Sequence, residues 1–456
     1  MLQSPKISYP PFVTAFIMIT NTDIHSITSQ PEARPLNKND YKTLALSSLG
    51  GTLEFYDFII FVFFTNTLTH LFFPVENIFI AQMQTLGIFA AGYLARPIGG
   101  VIMAHFGDKL GRKRMFTLSI FLMALPTFII GCLPTYNTIG VLAPLLLLLM
   151  RILQGAAIGG EMPGAWVFIA EHTPKQRYGL GIGVLTSGIT GGIFLGSIVA
   201  IIVQQLYSDS EIHAFAWRIP FLLGGIFGFI SVYLRRFLGE TPIFKEMAAN
   251  KAIANNLPIL TVIKKHKAAC FITGILTWSL STTIVVTVLM TPPLILEGMY
   301  HIDRTTSLLA NCVATLMLTF GCIFWGYLCD KLGTRVALTL VWGGLILSSL
   351  YFYNSLHTGI STEILIFNYG LMGFFAGSTA TTPIVSTRAF PPAIRFTGLS
   401  FAYNLSYAIF GGLTPLIARA WLQYTPMAAA YYVTITSILA LIVTFIPLAY
   451  KGYQAK

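Results

Sequence analysis

The feature that most constrains this chain is a repeating alternation: long apolar runs, each near the length needed to cross a bilayer, separated by short polar connections. Breaking the sequence at Gly, Pro and charged clusters gives twelve runs, near 44–70, 77–103, 116–135, 140–170, 179–206, 217–238, 268–296, 305–329, 335–353, 362–386, 397–423 and 428–450. At about 20 residues per span, twelve spans take roughly 240 residues and leave only short loops. Charged side chains make up 10% of the 456 residues, against roughly 25% in an ordinary soluble domain. A water-soluble fold is thereby excluded, and the expected class is an all-α membrane protein of twelve helices.

The net charge of +11 could suggest a nucleic-acid partner, but basic residues beside apolar helices obey the positive-inside rule instead. With both termini cytoplasmic, 23 of the 28 Lys and Arg fall on the inner side, which fixes the orientation and argues against nucleic acid. Of the exceptions, only Arg96 and Arg151 lie deep in spans. The five cysteines show no ligand-like spacing, so neither a disulfide framework nor a metal site is expected. The expected organisation is a cytoplasmic tail (1–40), a six-helix half (41–238), a central cytoplasmic loop (239–267), a second six-helix half (268–450) and a closing tail (451–456). Within the first tail, Phe12 to Ile19 is apolar but too short to span. The short closing tail gives no expectation of a sizeable soluble C-terminal domain.

The two halves echo each other. Asp108-Lys109-Leu110-Gly111 recurs as Asp330-Lys331-Leu332-Gly333, 222 residues later, each copy after an even-numbered span. Pro174, Arg177 and Gly179 after span four are echoed by Pro392, Arg395 and Gly398 after span ten. Two echoes at matching places imply halves related by an axis along the membrane normal, with a cavity between them.

Ionisable groups inside spans are costly and are functional candidates by default. Glu54 and Asp57 are three residues apart on one face of span one, about 15 and 20 Å above its inner end. Arg151 lies near mid-membrane on span four, level with Asp57. Glu161 and Arg96 share a lower layer with Glu54. Three acids and two bases leave one negative charge, so a single bound proton would neutralise the cluster, as a proton-coupled carrier requires. The alternative reading is a set of ion pairs that lock helices together. The second half has no comparable deep acid but carries Trp278, Ser281, Tyr369, Tyr403 and Asn404, which join Tyr56 and Gln154 as candidate cavity residues for a small polar solute. Many such residues serve equally well as interhelical hydrogen-bond glue.

The stretch from Ala104 through Gly107, Asp108, Gly111 and Arg112 to Arg114 resembles the loop signature of the major facilitator superfamily, with Gly326 to Arg335 as its second copy. Ala104 stands where that family usually has Gly, implying a looser helix contact. The resemblance implies that Asp108 and Arg112 form an inner gate, with Asp330, Gly333 and Arg335 as the second copy. Arg151 to Gly155 looks like the span-four signature associated with proton handling.

A narrower resemblance is to the metabolite:proton symporters, which include proline/betaine, 2-oxoglutarate, citrate and shikimate carriers. It rests on Glu54 to Phe58, Arg96 to Gly100, Gly159 to Glu161, Glu171 to Pro174, Trp217 to Phe221, Phe390-Pro391 through Arg395 to Gly398, and Tyr403-Asn404. Arg388 departs from it, standing where that family usually has an acid. The resemblance implies a monomeric carrier in the bacterial inner membrane, surrounded by lipid, without a cofactor, using the proton as coupling ion for uptake of a small solute. An efflux antiporter or a di- or tricarboxylate carrier are the alternatives; because only Arg96 and Arg151 are deep, the charge count leans toward a zwitterion or monocarboxylate. No HExxH or paired-His cluster supports an enzyme.

Overall fold

The computed structural model describes residues 34–73, 78–250 and 258–446. Among them no strand occurs, and the chain is a bundle of long apolar helices. The first half comprises α1 (Lys38–Phe63), α2 (Ile78–Leu110), α3 (Arg112–Cys132), α4 (Leu142–His172), α5 (Tyr178–Leu206) and α6 (Arg218–Arg235). The second half comprises α7 (Lys267–Ile284, continued by a wide turn over Val285–Glu297), α8 (Arg304–Leu332), α9 (Thr334–Leu356) and α10 (Thr362–Ala376, resumed at Thr381–Ala389). It closes with α11 (Arg395–Ser406, continued through Tyr407–Gly411 to Gly412–Leu422) and α12 (Ala428–Thr444). The Phe12 to Ile19 stretch and the closing tail lie outside the described residues.

Local chemistry explains where these helices start. Asn37 and Asp40 form a reciprocal capping box at α1, and the Asp303 carboxylate caps α8 by accepting from the Thr306 N–H at 2.8 Å. α1 therefore begins earlier than the hydropathy boundary, because a cap rather than an apolar residue sets it. The outer faces carry large apolar side chains such as Leu94, Leu347, Phe367 and Leu416, each more than 60% exposed. A band of this kind is solvated by lipid, since backbone hydrogen bonds are satisfied within each helix.

Both repeated glycines close the same turn. Gly111 and Gly333 have φ of +117° and +84°, a region that side-chain-bearing residues rarely adopt. Each turn reverses the chain after an even helix, α2 or α8, so the sequence echo is a structural one.

The halves meet along two equivalent junctions. α2 packs on α11, and α8 packs on α5. The α5–α8 junction is a seam of backbone: a Cβ on Gly326 would overlap the Gly179 carbonyl and stand 2.9 Å from the Gly183 Cα. Only glycine permits that approach.

Candidate functional site

α1, α3 and α4 bring together the deepest charges. Asp57 on α1 is buried and accepts a hydrogen bond from Thr127 Oγ1 on α3 at 2.8 Å. Thr127 in turn accepts from Gln154 Nε2 at 2.6 Å, and Gln154 Oε1 accepts from Arg151 Nη1 at 3.0 Å. The hydrogen-bonded route from Asp57 to Arg151 thus runs through two uncharged side chains, and the Arg151 guanidinium lies over the Phe61 ring at 4.0 Å. Thr127 was missed by charge-based reading; its only signal is a hydroxyl in an apolar helix. Glu54 lies one turn before Asp57 on α1, and its side chain lies outside the described residues.

Arg151 and Gln154 line a small cavity between α2 and α4, together with Tyr93 and Arg96. Among the described residues, two guanidiniums and no carboxylate line it. Arg96 also lies over aromatic rings, with Tyr407 at 4.5 Å, Tyr93 at 5.6 Å and Tyr403 at 5.8 Å.

The expectation that Glu161 shares a cavity network with Arg96 is corrected. Glu161 is completely buried away from the cavity, ion-paired to Arg235 of α6 and accepting from Ser119 Oγ of α3. Ten residues along α4 from Arg151, it faces α3 and α6 instead. By sequence, Arg235 at the end of span six is one more inner-side basic residue. Its signal was periodicity, because Gly224, Gly228, Ser231 and Arg235 form the buried stripe of α6. The pair pins three helices of one half together.

The remaining expected cavity residues are dispersed. Tyr56 is buried and donates to the Pro220 carbonyl at 2.9 Å within the first half. Trp278 stacks on Phe410 at 4.3 Å and donates to Tyr432 Oη at 2.9 Å, and Ser281 donates to the Trp278 carbonyl. Tyr369 donates to the Thr287 carbonyl and to Asn311 Oδ1, in the second-half core. None of these four lines the α2–α4 cavity. Asn404 does bridge the halves, donating to the Gly159 carbonyl at 2.7 Å, and Tyr403 meets Trp166 edge-on at 4.9 Å.

The end of the bundle bearing Lys109 to Arg114, here the basic end, is closed by a buried charge cluster. Asp108 pairs with Arg112 at 3.0 Å and accepts from the Thr397 N–H and Oγ1 at 2.9 and 2.6 Å. Arg112 donates to the Pro392 carbonyl at 2.8 Å and pairs with Glu171 at 3.4 Å, while Glu171 also pairs with Arg395 at 3.3 Å. These contacts join α2 and α4 to the start of α11. Ala104 is fully buried in the apolar core.

The second copy departs from the expected symmetry. Asp330 accepts from the Gly179 and Leu180 N–H groups at 2.7 and 2.8 Å, capping α5 as Asp108 caps α11. Arg335, however, is exposed, unlike Arg112. Arg388 lies over the Tyr178 ring at 4.0 Å and donates to Thr334 Oγ1 at 3.2 Å.

A two-half helical bundle with a repeated turn at one end and charged side chains buried within its helices has the architecture of a membrane carrier. The comparisons place it further: residues 57–415 match the Major Facilitator Superfamily, and the chain belongs to that family. A protein named "Putative proline/betaine transporter" from Staphylococcus aureus (strain COL) is 38% identical over 92% of this chain and 91% of its own. The inner membrane metabolite transport protein YhjE of Escherichia coli (strain K12) is 31% identical over 87% and 91%. The proline/betaine transporter of Salmonella typhimurium (strain LT2) is 30% identical over 88% and 82%. Among solved structures, the proton:xylose symporter XylE superposes with a TM-score of 0.73 over 90% of this chain and 95% of that one, at 14% identity, a likeness of fold. The chain is a multi-pass membrane transporter of a small solute and not an enzyme.

Proposed function

We propose that the chain takes up a small carboxylate-bearing solute, zwitterionic in the manner of proline or betaine, together with a proton, by alternating access. The observation that carries this reading is the pair of guanidiniums on one cavity, Arg96 and Arg151, with Arg151 wired through Gln154 and Thr127 to Asp57. A solute carboxylate engages the guanidiniums in bidentate fashion, which Lys could not reproduce. Arg151 then stabilises the Asp57 carboxylate less, and Asp57 takes up a proton. Solute and proton therefore enter the same state, and neutralised Asp57 crosses with the moving half. Glu54, on the same helix, is the second proton-handling candidate. The names of the relatives support the solute class.

The positive-inside rule sets the basic end in the cytoplasm, with both termini and the 239–267 connection on that side of a bacterial inner membrane. The carrier works as a monomer in lipid and needs no cofactor, the proton being its coupling ion.

Proteoliposomes with an imposed pH gradient test this, with L-proline, glycine betaine and succinate as solutes. Asp57→Asn should lower concentrative uptake by about tenfold or more while solute exchange persists, as expected for loss of a proton carrier. Normal concentrative uptake by Asp57→Asn would overturn the coupling assignment. Preference for succinate would favour the dicarboxylate alternative, which two guanidiniums on one cavity could also serve.

A further inference from the structure

Arg96 sits where two surfaces meet. It lines the α2–α4 cavity beside Arg151 and Gln154, and it lies among the rings of Tyr407, Tyr93 and Tyr403. Tyr93 and Tyr407 are parallel, 6.0 Å apart with 8° between their planes. Tyr93 belongs to α2, whereas Tyr403 and Tyr407 belong to α11, so this cage exists only while the halves are together at the basic end. The same face of α11 continues downward as a ladder. Asn404 and Ser400 both donate to the Gly159 carbonyl, at 2.7 and 3.1 Å, and Thr397 donates to Asp108. The Arg96 cage is the uppermost rung and the one that reaches the cavity.

A ring face and a carboxylate compete for one guanidinium, and the charge-assisted hydrogen bond is the stronger partner. The geometry points to Tyr407 as a positioning residue: in the solute-free carrier it parks Arg96 and holds α11 against α2. A solute carboxylate draws the guanidinium into the cavity, breaks the top rung and lets α11 part from α2 toward the basic end. The trigger rests on the carboxylate reading above, whereas the parking contact does not depend on it.

Hydrogen exchange of the segment 395–407, in the full-length carrier in lipid nanodiscs, separates the two. Without solute, Tyr407→Leu should raise exchange there by roughly five- to thirtyfold, the equivalent of a cation–π contact between its exposed and desolvated limits. Tyr407→Phe keeps a ring face and should match the parent. Arg96→Gln should reproduce the rise, and the double variant Arg96→Gln with Tyr407→Leu should add nothing further. Parent-like exchange in Tyr407→Leu, an equal rise in Tyr407→Phe, or additive effects in the double variant would each overturn the proposal. Saturating L-proline should raise exchange in the parent and leave Tyr407→Leu unmoved. If no carboxylate solute binds the parent, the functional reading fails while the solute-free comparison still decides the parking role.

Discussion

The α2–α11 and α5–α8 junctions occupy equivalent places in the two halves, yet they are built from different materials. α11 meets α2 and α4 through side chains: Thr397 on Asp108, Ser400 and Asn404 on the Gly159 carbonyl, and Tyr407 over Arg96. α5 meets α8 through glycines, with Asp330 accepting from two backbone N–H groups at the end. Side-chain contacts can be exchanged one at a time for solute or proton, whereas a glycine seam offers chiefly close packing. The first junction suits a gate that responds to cargo, and the second suits a bearing on which the halves move.

The harshest way to break this contrast is to put a side chain into the seam. Gly326→Val should cost about 3 kcal/mol or more from overpacking, seen as a lowered melting temperature of the purified carrier together with lost transport. Melting like the parent would show that the seam has slack. Next in size is Asp108→Asn, which weakens both the Arg112 pair and the Thr397 cap; turnover should fall by about tenfold with solute affinity nearly unchanged. Asp330→Asn touches only a helix cap and should slow turnover roughly threefold in the same flux assay. Equal losses from the two would erase the distinction between gate and bearing. Smallest of all, Thr190→Ala removes a 3.3 Å hydroxyl contact with Thr319 at the seam and should change stability by no more than about 0.5 kcal/mol. A larger loss, measured by melting, would mean that side chains also hold that junction.

Much of this was legible in the sequence, for reasons of solvent. Apolar run lengths specify spanning helices, and the repeated Asp-Lys-Leu-Gly marked two turns whose glycines both adopt positive φ. Asp57, Arg96, Arg151 and Gln154 stood out because charge and amide groups inside a bilayer need partners. What could not be read was direction. Ten residues along α4 separate Arg151 from Glu161, which is enough to turn one toward the cavity and the other toward Arg235. Thr127 carries no charge and so gave no depth signal. The Asp108–Thr397 contact joins residues 289 apart, and only the packed bundle brings them together.

The glycine seam also bears on how such a chain can diverge. Contacts made by backbone do not depend on the identity of neighbouring side chains, so the lipid-facing sides of α5 and α8 can drift without altering how the halves meet. On α11 each replaced residue changes a rung of the ladder. A duplicated carrier built this way has one border where mutations accumulate cheaply and another where almost every mutation is a change of behaviour, and new solute preferences are expected to arise at the second.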